Sequence, residues 1–173
     1  MEANLLTPNR DIVVRPSVAA DVFALAACLR EDDEQEVLDI GGSDPVEAIG
    51  KGFVESSKCF TILWKGTVAG MMGVVPSEQS DNPKLGVVWM LGSDQLALFG
   101  FSLVKYARAW LRELIDGYDV IGNLVSARNP AHVRFLKHIG ARVVKVHDDC
   151  GPGHVPAYEF VFDSDDLKET PLV

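Results

Sequence analysis

Two groups of residues have the types and spacing that could do chemistry. The first is Cys150 and His154, which follow two aspartates and could form a thiol–histidine pair or bind a metal ion. Their spacing matches no zinc pattern, and the Gly-Pro-Gly of residues 151–153 is typical of a hairpin loop. His132 and His138 are six residues apart, so they do not share one face of a short helix. We therefore predict no metal site.

The second group is an acidic run. Five of the six residues at 31–36 are Asp or Glu, directly after Arg30. Acids are favoured in the first turn of a helix because the helix dipole is positive there. We interpret the run as the exposed start of a helix.

Charge is distributed unevenly along the chain. The net charge is −9, but residues 59–147 carry ten basic and six acidic residues, whereas the two ends are strongly acidic. An anionic small molecule, if one binds, is expected in this middle part. Five cations there lie on predicted helices or beside them: Lys105, Arg108, Arg128, Arg134 and Lys137. The acidic balance disfavours general duplex binding, so nucleic acid is not an expected partner.

The elements that position these residues follow from hydrophobic period and capping signals. The predicted order is β, α, α, α, β, β, β, α, β, α, β, β. Strands are predicted at residues 12–15, 59–64, 68–75, 86–91, 120–125, 141–147 and 158–162. Helices are predicted to follow the capping residues Ser17, Asp44, Ser93-Asp94 and Asn129, with a further helix near residues 31–38.

Length and composition predict one compact domain. The chain has 173 residues, of which 47% are hydrophobic. We expect a mobile N-terminus at residues 1–10, a single domain at 11–162 and an acidic tail at 163–173. Three cysteines without paired spacing indicate a reducing compartment. No apolar run is long enough to span a bilayer.

The order of predicted strands and helices resembles that of a known fold family, and three segments resemble one branch of that family. They are DVFALAACLREDDEQEVL, VVWMLGSDQL and YDVIGNLVSARNPAHVRFLKHIGARVV. From about residue 12 to residue 162 the sequence resembles the Gcn5-related N-acetyltransferase (GNAT) fold. The segments are similar to a bacteriophage branch of it, which includes small internal virion proteins of short-tailed coliphages. The resemblance implies an α+β fold with a mixed, largely antiparallel sheet and helices on both faces.

The resemblance also implies where acetyl-coenzyme A would bind. In active members, backbone N–H groups of a loop with two close glycines, leading into the long helix, hold the pyrophosphate. The preceding strand pairs with the pantetheine arm. If acetyl-coenzyme A binds here, its contacts would be Trp89, Met90, Leu91, Gly92 and Asn129.

Two features of that family's chemistry are missing from the sequence. Gly92 and Gly100 are eight residues apart, and no Lys or Arg lies between Gly86 and Val104. Leu136 stands where active members have the tyrosine that acts as general acid, and leucine cannot donate a proton. Catalytic residues are therefore unknown, and acetyl-coenzyme A is possible but not required.

The leading hypothesis is a phage protein that keeps the fold without catalysis. It would act in virion assembly, or as an internal or ejected virion component, with other phage or host proteins as partners. Its expected locations are the host cytoplasm and the virion interior.

The alternative is an acetyl-coenzyme A-dependent N-acetyltransferase with a divergent pyrophosphate loop. In that fold the acidic run would border the acceptor side, where it could attract a cationic amine. A third possibility is a small regulatory protein that binds a host partner through its acidic surface.

Overall fold

A computed structural model describes residues 10–77 and 84–169. The strands are β1 Ile12–Pro16, β2 Lys58–Trp64, β3 Thr67–Pro76, β4 Leu85–Gly92, β5 Val120–Ser126, β6 Arg142–Cys150 and β7 Val155–Asp163. The α-helices are α1 Ala19–Ala26, α2 Glu31–Glu36, α3 Pro45–Glu55, α4 Gly100–Ile115, α5 Pro130–His138 and α6 Ser164–Glu169. A π-helical turn, Val37–Gly41, follows α2, and a 3₁₀-helix, Asp94–Phe99, precedes α4. The predicted mobile segment at residues 1–10 lies outside the described residues except for its last residue.

The strands form one mixed sheet in the order β1-β2-β3-β4-β5-β7-β6. All neighbouring strands are antiparallel except β4 and β5, which run parallel. Met71 and Met72 on β3 belong to two different apolar clusters, one with residues of α1 and α3 and one with residues of α4. Helices therefore cover both faces of the sheet, and the predicted α+β class is confirmed.

The helix α3 begins as its sequence predicts. The Asp44 side chain accepts a hydrogen bond of 3.1 Å from the backbone N–H of Glu47, and Pro45 occupies the first helical position. The carboxylate satisfies one of the N–H groups that a helix start leaves unpaired.

Substituting Asp44→Ala removes this cap. We expect the free energy of unfolding to fall by about 1 kcal/mol, which corresponds to a melting temperature lower by roughly 2–4 °C. Thermal unfolding followed by circular dichroism measures the change. Asp44→Asn keeps an acceptor at the same place and should stay within about 0.5 kcal/mol of the wild type. If asparagine lowered the free energy of unfolding as much as alanine does, the negative charge and not the hydrogen bond would be what stabilises the helix.

Two predicted helix starts are wrong. The first helix begins at Ala19 rather than after Ser17, because Asp21 accepts from the backbone N–H of Val18 at 2.9 Å. The Ser17 hydroxyl oxygen instead lies 2.8 Å from Thr61 Oγ1. The long helix begins at Gly100, because the six residues after Ser93 form the 3₁₀-helix. The Ser93 hydroxyl makes no helix cap there.

The structure also differs from the prediction at the acidic C-terminal segment. Residues 164–169 form α6, in which Leu167 is buried and its carbonyl oxygen accepts from Arg112 Nε at 2.7 Å. The single apolar side chain in an acidic run therefore fixes this segment on α4. No helix in the described part of the chain has the length and apolar character that crossing a membrane requires.

Candidate functional site

The candidate site is a cleft where β4 and β5 separate. Their parallel ladder pairs only Leu85–Val87 with Val120–Gly122. Beyond it, Asn123 Nδ2 donates to the carbonyl of Val88 at 2.9 Å. A cleft of about 500 Å³ opens there with a mostly apolar lining.

The structure separates the predicted acetyl-coenzyme A contacts into two groups. Trp89, Met90 and Leu91 line the cleft. Gly92 and Asn129 do not; each is hydrogen-bonded to a carboxylate of α2. The acidic run, which we predicted to be solvated, thus sends two of its side chains inward.

Asp33 holds the end of β4. Its Oδ2 accepts from the backbone N–H of Gly92 at 2.8 Å, and Arg30 Nη2 lies 2.6 Å from its Oδ1 as an ion pair. The backbone N–H of Arg30 donates to the carbonyl of Gly92 at 3.0 Å. Asp33 is only 1% exposed, and this burial raises the pKa of its carboxyl, an effect that Arg30 and the Gly92 N–H offset in part.

Glu36 holds the end of β5 in the same way. Its Oε1 accepts from the backbone N–H of Ser126 at 3.0 Å, and its Oε2 accepts from Asn129 Nδ2 at 2.8 Å. His132 Nδ1 lies 3.2 Å from the same Oε2. Burial alone would raise the pKa of Glu36, but these hydrogen bonds and the His132 charge outweigh it and lower the pKa.

Asp33 and Glu36, which we call the α2 carboxylate pair, therefore bind backbone N–H groups at the ends of both separated strands. Such N–H groups can bind an anionic ligand, and here internal carboxylates occupy them. The exposed acids of the run are Glu31, Asp32 and Glu34. The spacing of three puts both members of the pair on one helix face, but Glu31 and Glu34 have the same spacing and are exposed, so spacing alone does not identify the pair.

The pair also lies beside an imidazole. Donor atoms of Asp33, Glu36 and His132 all lie within 4.8 Å of one another, an arrangement that could hold a metal ion. Each carboxylate oxygen already has a hydrogen-bond donor or the Arg30 cation beside it. A metal ion would have to displace those partners, so the absence of a metal site stays our prediction.

The pH dependence of the free energy of unfolding tests whether the Glu36 carboxylate stabilises the fold. Because its folded pKa lies below the ordinary value of 4.5, the folded state binds fewer protons than the unfolded state in that range. The stability that Glu36 supplies is complete above pH 4.5 and is lost as the pH falls through the folded pKa. The difference in unfolding free energy between wild type and Glu36→Gln should therefore shrink as the pH falls below about 4.5. Urea titrations at several pH values measure it, and a difference that grows on acidification would contradict the assignment.

The cleft is lined by the titratable side chains Glu36, Lys51, Glu55 and His132, but the tyrosine of active family members has no counterpart among the described residues that line it. Leu136 is buried and lines the cleft, and no tyrosine of the described chain lines it. Tyr118 is committed elsewhere, with its hydroxyl 2.7 Å from Ser57 Oγ. The first turn of α4 carries no cation, and Phe101 in it is 85% exposed.

Cys150 and His154 lie at the surface hairpin that the sequence predicted. The His154 imidazole is exposed, and its Nδ1 contacts Asp149 Oδ1 at 2.8 Å. The Cys150 thiol is free. Neither residue lines the cleft.

Comparison with known proteins finds a match to a phage protein family and a structural similarity to a family of enzymes. Residues 83–148, less than half of the chain, match the family model described as "Bacteriophage T7, probable scaffold protein Gp13". The match runs from just before β4 almost to the end of β6 and includes the N–H groups that Asp33 and Glu36 bind. No curated protein sequence matches the chain significantly.

Among solved structures, the chain is similar to acetyltransferases. A GNAT-family acetyltransferase from Bacillus anthracis has a TM-score of 0.66 at 14% identity, covering 90% of this chain and 96% of that one. The aminoglycoside acetyltransferase AAC(6')-Ib, solved with coenzyme A, has a TM-score of 0.67 at 16% identity, covering 92% and 98%. The protein yncA from Salmonella typhimurium, solved with its cofactor acetyl-CoA, has a TM-score of 0.67 at 15% identity, covering 91% and 96%. The chain therefore has the GNAT acetyltransferase fold, and its central segment matches a phage scaffold-protein family.

Proposed function

We propose that this chain is a non-catalytic phage protein of GNAT fold that acts in virion assembly, as a scaffold or as an internal or ejected component. The observation that carries the proposal is the α2 carboxylate pair. It occupies N–H groups at the ends of both separated strands, where an anionic cofactor would otherwise find donors. The match to a phage scaffold-protein family supports the assembly role.

Electrostatics support the same conclusion. A pyrophosphate near Gly92 would face the carboxylates of Asp33 and Glu36 with no Lys or Arg between Gly86 and Val104 to balance them. Arg30 is already paired with Asp33. The partners of such a protein are other phage or host proteins, and its locations are the host cytoplasm during assembly and the virion interior.

The alternative function is an acetyl-coenzyme A-dependent N-acetyltransferase that modifies a host or phage protein. One observation favours it: the cleft between β4 and β5 has about 500 Å³, and Trp89, Met90 and Leu91 still line it. The backbone of β4 could then hold a pantetheine arm as the resemblance implies. Leu136 supplies no proton, so a general acid would have to be another group that lines the cleft, such as Glu55 or His132, or water.

Thermal unfolding with acetyl-coenzyme A separates the two functions. We expect millimolar acetyl-coenzyme A to change the melting temperature by less than about 1 °C, because the pair excludes the anionic ligand. Binding at 100 times the dissociation constant would stabilise the fold by about 2.7 kcal/mol and raise the midpoint by roughly 5–10 °C. A shift of that size, abolished in Leu136→Trp where the cleft is filled, would show that acetyl-coenzyme A binds in the cleft, would contradict its exclusion by the pair and would favour the alternative.

The assembly role needs its own measurement. Quantitative mass spectrometry of purified particles should find this chain at a fixed copy number per particle, or find it in assembly precursors and not in finished particles. Its absence from both would contradict the role.

A further inference from the structure

The cleft at the separated strands passes through the sheet. The helices α3 and α4 lie on opposite faces, and residues of both line the cleft, among them Gly52 on α3 and Leu114 on α4. Its volume of about 500 Å³ lies within the range of about 300–1,000 Å³ that is typical of small-molecule sites. A single side chain of a protein partner would leave much of that space empty, so the cleft is of a size for a whole small molecule.

The mouth of the cleft lies on the α3 face of the sheet. Val87 shares a face of β4 with Trp89, whose ring lies beside Gly52 of α3. Lys51 and Glu55 belong to α3 itself. Among the described residues that line the cleft, the exposed ones are Gly41, Lys51, Glu55 and Val87. A ligand therefore enters from the α3 side.

The opposite end of the cleft is an apolar chamber formed by α4, α5 and β7. Its residues are Trp110, Leu111, Leu114, Leu136, Phe160 and Phe162. None of them is more than 7% exposed. A charged group there would lose its hydration without an opposite charge to compensate for the loss. The chamber therefore suits an apolar group.

The polar side chains between the mouth and the chamber already have partners. The Glu36 carboxylate accepts two hydrogen bonds and contacts His132. Asn123 donates to the carbonyl of Val88 and accepts from the backbone N–H of Leu124 at 2.8 Å. A ligand that passes these groups gains little from polar atoms along its body, which favours an unsubstituted chain.

Charges at the mouth bear on the head of the ligand. Lys51 and Glu55 are four residues apart on α3, so a cation and an anion share one helix face beside the opening. An ionic head would meet one attractive and one repulsive charge there while losing part of its hydration. A hydroxyl or amide head can both donate and accept hydrogen bonds without that loss. The mouth therefore favours an uncharged polar head.

We propose that the cleft binds an uncharged amphiphile, a small molecule with an aliphatic chain in the chamber and a hydroxyl or amide head beside α3. The inference goes beyond the proposed function, because it holds whether or not the chain acts in virion assembly. Its test measures the binding of simple alcohols, whereas the tests of the proposed function measure coenzyme A binding and the content of particles. Either can therefore fail while the other stands.

Isothermal titration calorimetry of the full chain with octan-1-ol tests the proposal. We expect saturable binding with a dissociation constant of about 1 mM or lower. Each buried methylene group contributes a factor of about four in affinity, so hexan-1-ol should bind roughly fifteenfold more weakly. No saturable binding of octan-1-ol, or equal affinity for the two alcohols, would overturn the proposal.

Ligands of equal chain length test the head group. Octanoate and octylammonium should each bind at least about tenfold more weakly than octan-1-ol at pH 7, because the mouth carries charges of both signs. Equal or tighter binding of either ion would overturn the assignment of an uncharged head.

Variants that fill the chamber locate the binding. Leu136→Trp and Ala107→Leu add volume to its walls, and each should weaken octan-1-ol binding at least about tenfold. Leu98→Trp is the matched control, because Leu98 is 69% exposed on the 3₁₀-helix and does not line the cleft. It should bind like the wild type. Circular dichroism identifies a variant that does not fold, and a folded chamber variant that binds octan-1-ol like the wild type would overturn the proposal.

A brominated chain tests the same point without filling the chamber. The bromine of 8-bromooctan-1-ol quenches tryptophan fluorescence on contact, and Trp110 lies in the chamber whereas Trp64 stacks on Phe99 with ring centroids 5.0 Å apart. Trp110→Phe should lose most of the quenching, and Trp64→Phe should keep it. Equal quenching in both variants would show that the chain does not reach the chamber and would overturn the proposal.

Discussion

Replacing Asp33 by alanine should lower the free energy of unfolding by about 3–5 kcal/mol. The substitution removes the acceptor of the Gly92 N–H and leaves the Arg30 guanidinium without its ion-pair partner, and breaking a buried pair on one side carries that order of cost. The melting temperature should fall by roughly 6–20 °C. Urea unfolding at pH 7 and differential scanning calorimetry measure both quantities.

Asp33→Asn is the matched control. Its amide oxygen can still accept from Gly92, and burial already raises the pKa of the native carboxyl, so the site tolerates a neutral group better than an empty one. We expect asparagine to cost less than half as much as alanine. Equal losses would show that the Arg30 ion pair, not the hydrogen bond to β4, fixes α2. A loss below about 1 kcal/mol with alanine would contradict the anchoring role altogether.

The same substitution bears on function. If the α2 carboxylate pair is what excludes an anionic cofactor, removing one carboxylate weakens that exclusion without adding a cation. Asp33→Asn should therefore still show no stabilisation by acetyl-coenzyme A, since the region from Gly86 to Val104 has no Lys or Arg. Exclusion of the anionic cofactor rests on two features, the α2 carboxylate pair and the lack of Lys or Arg between Gly86 and Val104. The substitution changes only the first of them.

Local signals predicted most of the fold because each acts through neighbouring residues. Asp44 and Asn129 cap helices with their side chains, and Gly140 has a φ of 103°, a conformation that favours glycine at the end of α5. Lys65-Gly66 turns the hairpin between β2 and β3, both residues having positive φ. In each case the residue type and the geometry that needs it lie within four positions.

The site could not be predicted in the same way because it depends on contacts between distant parts of the chain. Glu36 binds Ser126 and Asn129 about ninety residues later, and Asp33 binds Gly92 across fifty-nine. Local statistics favour exposed acids at a helix start, and three of the five acids follow them. Asp33 and Glu36 differ because the tertiary fold places α2 at the ends of both separated strands, where their carboxylates accept hydrogen bonds from the backbone.

Replacing Trp110 by alanine is expected to have the other large effect, a loss of about 3–5 kcal/mol. Trp110 is 3% exposed in the main apolar cluster and also lines the cleft. The space left by the indole would join an existing cavity of about 500 Å³, which the neighbouring side chains cannot close. We therefore expect the free energy of unfolding to fall by about 4–5 kcal/mol. Urea unfolding measures the loss, and the dependence of the unfolding free energy on urea concentration should not change.

Trp110→Phe separates packing from hydrogen bonding at this position. The Trp110 Nε1 atom is buried, and no described residue accepts a hydrogen bond from it. Phenylalanine thus removes an unsatisfied donor while keeping most of the apolar contact, so the cost should be about 1–2 kcal/mol. If phenylalanine instead costs as much as alanine, the indole N–H has a partner that stabilises the fold. Because Trp110 lines the cleft, that result would point to an occupant of the cleft that accepts this hydrogen bond.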